Sequence, residues 1–321
     1  MPNKVHNYRY SIPEVYSVIT RKEIKEYLIK ENNGNKYISD KEKVEYYKRL
    51  SKAYIKNNKI KRFIYQYLEG DGNELASKFF NVYSSSRICF EMYSWMANLD
   101  CIIDIEFEYH LPSMNSSSFE LMGSNMDVYY EAYKDITFIE SKFTEALNNK
   151  NVIIPDGYYK EKGIAKRQKG TYLKSDLYYR FNNNYVLTKL FPTFIEDIIK
   201  SINLYAEDKQ DWFDVKQEVA HIFGICSYIF KKQKKLNNKN IHFYNVIYDF
   251  DKPSLLAMVF KTIVNIFMKE YIKALKLNIS FDYDFKYMRK IYEEIPDDAK
   301  AFASNKLVKD ILSIYFKYNC D

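Results

Sequence analysis

Asp127, Glu140 and Lys142 are the residues whose types and spacing best suit chemistry. They stand in the segments GSNMDVYY and ITFIESKF. An acidic residue, one spacer and a lysine is common here: such triplets begin at Glu23, Glu140, Glu207, Asp214, Asp284 and Asp298. Only Glu140–Lys142 closes a predicted strand that is the second arm of a hairpin. If Tyr133-Lys134 forms a two-residue turn, Asp127 falls directly opposite Glu140. If the turn lies one residue later, Asp127 faces Lys142. Either register puts all three on one face, because strand side chains alternate with period two. Opposed side chains in an antiparallel pair have Cβ atoms roughly 4.5–5.5 Å apart. Two carboxylates so close repel unless a cation joins them or one keeps its proton. Mg²⁺ suits that position, since it is bound through one or two carboxylates plus waters and phosphate oxygens. It would activate a water and neutralise charge developing on a phosphoryl group. Lys142 would orient that water or stabilise the transition state. The alternative is a charged hairpin with a cross-strand Glu–Lys pair.

The elements that must hold these residues follow from periodicity. CIIDIEFEYHL alternates Ile103, Ile105, Phe107 and Tyr109 against Asp104, Glu106 and Glu108, which predicts a strand. The hairpin arms are expected at about Met126–Ala132 and Asp135–Phe143. Residues 20–82 read as helices interrupted by the polar turn NNGN, and RICFEMYSWMANL as a short amphipathic helix after a serine N-cap. Residues 147–185 are irregular. Helices are expected at about 188–205 and 211–232, and IHFYNVIYDF (241–250) reads as a central strand, apolar on both faces. The remainder is helical apart from an extended stretch near Asn278–Asp284. The order predicts an α/β or α+β core with a mixed sheet, elaborated by helices at both ends. We divide the chain into an N-terminal helical region (1–75), a core (76–250) and a C-terminal helical extension packed on it (251–321).

Composition narrows the class. The 321 residues are 47% hydrophobic and 17% aromatic, with 32 Tyr and 22 Phe but only 8 Gly and 7 Pro. That load of aromatics argues against disorder, and the scarcity of Gly and Pro argues against a turn-dense all-β sandwich. Four scattered cysteines form no C-x-x-C pair, and four histidines show no HExxH spacing, so neither a zinc knuckle nor a disulfide framework is expected. The N-terminal residues lack the apolar core of a signal peptide. Ser254–Leu275 is broken by Lys261, Asn265, Lys269 and Lys273, a polar stripe on an amphipathic helix rather than a membrane span. The expectation is a cytoplasmic protein.

The net charge of +7 is unevenly placed. Residues 81–140 hold two basic and ten acidic side chains, inside an otherwise basic chain. Such a block suits a site that takes a divalent cation and a polyanion together, or else solvated strand edges and helix faces. Beyond it, Lys162, Lys166, Arg167 and Lys169 are interleaved with tyrosines, a loop that would contact phosphates and stack on exposed bases, or be an ordinary solvated insertion.

These residues resemble the PD-(D/E)XK phosphodiesterase superfamily, which has the restriction-endonuclease-like fold. Asp127 matches the first acid of the motif, Glu140 the second and Lys142 the lysine; Met126 stands where a proline is usual. That core is a helix, three antiparallel strands, a helix and a further strand, in the order read above. Glu91, in SSSRICFEMYSWM, matches a glutamate often carried on the first core helix. Gln217, in WFDVKQEVAHIFGICSYI, matches a glutamine on the helix after the third strand. His221 follows one turn on, where the RecB-like branch has Tyr, and is expected to be a structural partner. KFFNVYSSSRICFEMYSWM, GSNMDVYY and ITFIESKFTE are similar to segments of a bacterial group of putative restriction endonucleases, over about residues 76–250. The resemblance implies a Mg²⁺-dependent (alternatively Mn²⁺-dependent) endonuclease acting on DNA, preferably double-stranded, and giving 5′-phosphate and 3′-hydroxyl ends. Asp127 and Glu140, with the Ser141 carbonyl, would bind the metal; Lys142, Glu91 and Gln217 would complete the site, and a homodimer is an expected assembly. The alternative from a different class is a nucleic-acid-binding or regulatory module that keeps the fold without cutting.

Overall fold

The computed structural model describes residues 26, 29–30, 32–52, 62–69, 75, 78–111, 124–142, 150–154, 185–247 and 253–295. Its centre is a five-stranded mixed sheet. Strand β1 (Ile102–His110) pairs antiparallel with β2 (Asn125–Ala132), and β2 with β3 (Asp135–Lys142). The turn between β2 and β3 is Tyr133-Lys134. It sets Val128 against Ile139, Tyr129 against Phe138 and Glu131 against Ile136, which is the first of the two registers expected. A short ladder joins β4 (Lys150–Asn151) to β5 (Gln210–Asp211). Strands β6 (Asn240–Ile247) and β7 (Ser280–Tyr287) then add in parallel, giving the order β1-β2-β3-β6-β7. The stretch expected to be extended near Asn278–Asp284 is thus a full sheet strand, and the sheet continues past residue 250.

Helices cover both faces. On one side lie α1 (Asp40–Lys52), α2 (Arg62–Glu69) and α3 (Ser85–Tyr93). Leu50, Phe63, Tyr67, Phe79 and Phe90 pack there with Phe107, Val128, Ile139 and Val246 of the sheet. The rings of Phe63 and Phe107 meet edge to face at 4.8 Å, a favoured geometry. On the other side lie α4 (Tyr185–Tyr205), α5 (Val215–Lys232) and α6 (Leu255–Ala274), which bury Phe191, Phe194, Phe223, Phe260 and Phe267 against Phe138, Phe243 and Tyr283. A short helix, α7 (Met288–Glu294), follows β7. No helix among the described residues is long and apolar enough to cross a membrane.

The local reasons are legible. Ser84 caps α3, its side chain accepting from the Arg87 N–H at 3.2 Å; such a cap is worth about 1 kcal/mol. Ser254 caps α6 in the same way at 3.1 Å. The polar stripe on α6 is split rather than uniformly solvated. Lys269 and Lys273 are exposed, but Lys261 pairs with Asp284. Asn265 donates to the Tyr283 carbonyl at 3.0 Å and accepts from its N–H at 2.9 Å. An edge strand leaves backbone groups unpaired, and Asn265 satisfies two of them on β7.

Besides a register shift between Ile102 and Asp104 of β1, strict alternation fails further along the same pair of strands. Ile105 and Phe107 of β1, and Val128 of β2, face the α1–α3 side. Tyr109 and Met126, paired with one another, face the α4–α6 side. Both strands therefore change face between those pairs, where Glu108 stands against Asp127. Glu108 has φ 50°, in the left-handed region that costs a non-glycine residue about 1–2 kcal/mol.

Candidate functional site

The candidate site forms where the C-terminal end of β3 meets the start of α5. Asp214 caps α5, its side chain accepting from the Gln217 N–H at 3.1 Å. The cap fixes the first turn, and Gln217 leaves that turn towards β3. The Lys142 ammonium donates to Glu140 Oε1 at 2.6 Å and to Gln217 Oε1 at 2.7 Å. Gln217 Nε2 donates to the same Glu140 oxygen at 2.8 Å. Glu140, Lys142 and Gln217 thus close a three-membered hydrogen-bonded ring. One turn further along α5, His221 Nε2 lies 3.3 Å from Glu140 Oε2, at ion-pair distance though not aligned as a hydrogen bond. Glu140, Lys142 and His221 are all buried.

Asp127 approaches from the kink in β2. Extending the hairpin register by one residue sets it opposite Glu140, and its Oδ2 accepts the Ser141 N–H at 2.6 Å. The expectation that all three residues share one face holds for Glu140 and Lys142, which both meet Gln217. Asp127 sits where β2 changes face, so alternation does not fix its side. Ser141 points away from Glu140, and its hydroxyl lies beside the Cys89 thiol of α3. Glu91 is buried on that same helix. Two residues turn a helix by about 200°, so Glu91 leaves α3 from a different side than Cys89. Lys162, Lys166, Arg167 and Lys169 lie outside the described residues.

The two carboxylates are pushed in opposite directions. Burial would raise the Glu140 pKa, but the Lys142 charge and His221 outweigh it and hold the group at about 2. Asp127 is held well above the usual carboxylate range by burial, then by repulsion from Glu140 and Glu108; the Ser141 N–H and Lys142 only partly oppose this. Negative charge around Asp127 is under-compensated, whereas at Glu140 it is met. Among the described residues no group of three or more His, Cys, Asp or Glu is arranged to hold a metal. The donor set is instead two carboxylates beside a strand backbone.

Two residues of this neighbourhood carried little signal in the sequence. Glu108 reads as one more polar position of an alternating strand, and only the strand kink brings it to Asp127. Glu218, fully buried on α5, reads as an ordinary helical acid next to Gln217. Its Oε2 accepts from Asn245 Nδ2 at 2.9 Å and from the Tyr283 hydroxyl at 3.1 Å. The available hint for Glu218 is its i,i+3 spacing from His221. No protein-family model, no curated protein and no solved structure matches this chain.

Proposed function

We propose that the chain is a Mg²⁺-dependent endonuclease that hydrolyses phosphodiester bonds in DNA. The observation that carries this reading is the hydrogen-bonded ring of Glu140, Lys142 and Gln217 with Asp127 beside it. The order of helix, three antiparallel strands, helices and a parallel strand around that ring supports it, being the order implied by the resemblance to PD-(D/E)XK nucleases.

The donor chemistry fits a hard cation. Mg²⁺ needs only one or two carboxylates and keeps waters and phosphate oxygens as its other ligands. Asp127 and Glu140 would hold it, with the Ser141 carbonyl as a further oxygen. Mg²⁺, when bound, supplies Lewis-acid polarisation of a phosphoryl oxygen and a more acidic water. The rest is done by the chain. Lys142 keeps Glu140 ionised, and its ammonium places positive charge where a phosphoryl group gains negative charge. Gln217 holds the ammonium and the Glu140 oxygen in fixed relation, so less rearrangement is needed when substrate enters. Attack by water on phosphorus with loss of the 3′ oxygen leaves 5′-phosphate and 3′-hydroxyl ends.

Supercoiled plasmid incubated with the protein and Mg²⁺ tests the reading. The wild type should nick or linearise it, and Asp127→Ala and Lys142→Ala should each lower the rate by about 10²–10³-fold, as loss of a group stabilising transition-state charge does. Intact plasmid in both Mg²⁺ and Mn²⁺, with folded wild-type protein, overturns it. If that intact plasmid is nevertheless retarded on a gel, the chain is a nucleic-acid-binding module.

A further inference from the structure

Glu218 is one helical position from Gln217 and three from His221, but its carboxylate accepts from Asn245 and Tyr283 rather than joining the ring around Glu140. It is fully buried between α5 and the parallel strands. Asn245 of β6 donates to Glu218 Oε2 at 2.9 Å and to the Tyr283 hydroxyl at 2.6 Å, and that hydroxyl donates to Glu218 Oε2 at 3.1 Å. Asn245 stands in register with Glu140 on β3 and with Phe285 on β7. One buried triangle therefore ties α5 to the two strands beyond β3. The ring of Gln217, Lys142 and Glu140 ties the same helix to β3.

Two tethers on neighbouring sides of a helix fix its rotation as well as its distance. Residues 217 and 218 are about 100° apart around α5. A modest turn of the helix about its axis would carry Gln217 and His221 off Glu140 unless Glu218 held the other side. Burial makes the tether rigid, since a buried donor or acceptor left without its partner costs about 1–3 kcal/mol. Glu218 Oε1 and Asn245 Oδ1 are both buried without a hydrogen-bond partner. Burial also raises the Glu218 pKa above its ordinary value. A neutral amide at this position keeps one oxygen to accept from Asn245 and Tyr283 and puts a donor where the unpartnered Oε1 stands, near Asn245 Oδ1.

We propose that Glu218 is a positioning residue of the site: through Asn245 and Tyr283 it sets the rotation of α5 that brings Gln217 and His221 onto Glu140. The consequence for metal affinity rests on the nuclease reading; the consequence for Gln217 does not. Ligand-supporting residues of this kind change metal affinity by about 10–100-fold when lost.

The test uses Glu218→Ala, Glu218→Gln and the milder Tyr283→Phe in the full chain, each checked for folding by circular dichroism. In metal-free protein, the Gln217 side-chain amide resonance is identified by its disappearance in Gln217→Ala. It should move towards the free-amide position in Glu218→Ala, move part of the way in Tyr283→Phe and stay in place in Glu218→Gln. An unmoved resonance in folded Glu218→Ala overturns the positioning role whether or not the chain binds metal. Mn²⁺ binding followed by electron paramagnetic resonance gives the second readout. Affinity should fall about tenfold or more in Glu218→Ala and be restored in Glu218→Gln. Wild-type protein that binds no Mn²⁺ overturns the metal site while the resonance still decides the positioning role. Unchanged Mn²⁺ affinity in folded Glu218→Ala counts against the proposal itself.

Discussion

At the scale of single residues, Lys142 is the group on which the others depend. Its ammonium is the one cation given to Glu140 by its own strand, and it also holds Gln217. Removing one partner of a buried ion pair costs about 3–5 kcal/mol, because the other charge stays buried without compensation. Lys142→Met keeps most of the aliphatic stem and removes the charge. It should lower the stability measured by urea unfolding by roughly that amount. Lys142→Met together with Glu140→Gln, which removes the stranded charge, should recover a large part of the loss; a double variant as unstable as the single would sink the account. Lys142 and Glu140 were legible in the sequence because both lie in one strand, where period two decides their side. Gln217 could be picked out only through the motif it resembles, since 75 positions separate it from Lys142 and no local rule spans that gap. Glu218 and Glu108 gave still less: one depends on helix rotation, the other on a kink that alternation does not foresee.

At the scale of elements, α5 is the part whose placement decides the site, and it is clamped at two points besides its tethers to the sheet. At its start, Asp214 caps the helix and lies 3.7 Å from the Lys150 ammonium. In its middle, Gly224 runs against the end of β1. A Cβ there would lie 2.7 Å from the Leu111 Cβ and 2.9 Å from its Cδ1. The first of those atoms cannot swing aside, so Gly224→Ala must push α5 off β1. Overpacking of this kind costs about 1–3 kcal/mol. The thermal midpoint should fall, and the Gln217 amide resonance should shift although the substitution is two turns away. A shifted midpoint with an unmoved resonance would mean that the strain is absorbed locally. The hairpin itself was readable, because a two-residue turn fixes every pair behind it. The entry of β7 into the sheet was readable only as an extended stretch, since parallel pairing needs a distant partner.

Element chemistry also sets one pH dependence. Asp135 opens β3 beside β6. A hydrogen bond from Asn240 holds its carboxyl below the ordinary range, partial burial opposes this, and His242 adds to the lowering. A folded value below the unfolded one means that the contribution to stability is present above the ordinary carboxylate range and lost as pH falls through the depressed folded value. The partly exposed side chain keeps the effect small. Asp135→Asn should therefore be slightly less stable than the wild type at neutral pH and converge with it in acid, which gives a shallower acid limb. An acid limb identical in the two proteins would remove Asp135 from the account.

At the scale of the whole molecule, the sheet is a shared wall between two aromatic cores, and this makes a statement about cooperativity. Adjacent residues of β3 serve opposite sides: Phe138 packs towards α4–α6 and Ile139 towards α1–α3. β6 does the same with Phe243 and Val246. Neither core can lose its helices without exposing one face of strands that the other needs. Phe63 of α2 and Phe260 of α6 belong to these cores, so the described helices on either side of residues 76–250 take part in the same unit. The two tryptophans offer independent probes, Trp95 after α3 on one side and Trp212 before α5 on the other. In Trp95→Phe and Trp212→Phe, each leaving one reporter, urea unfolding followed by fluorescence should give coincident midpoints. Val264→Ala, a large-to-small change in the α4–α6 core costing about 0.5–3 kcal/mol, should then move both midpoints together, the distant Trp95 signal included. Midpoints that separate, or a Trp95 transition that ignores Val264→Ala, would show two independent units; the site, built on β3 between them, would then outlast the loss of one side, and a helix α5 unfolding alone would abolish it while β1 and β2 stayed paired.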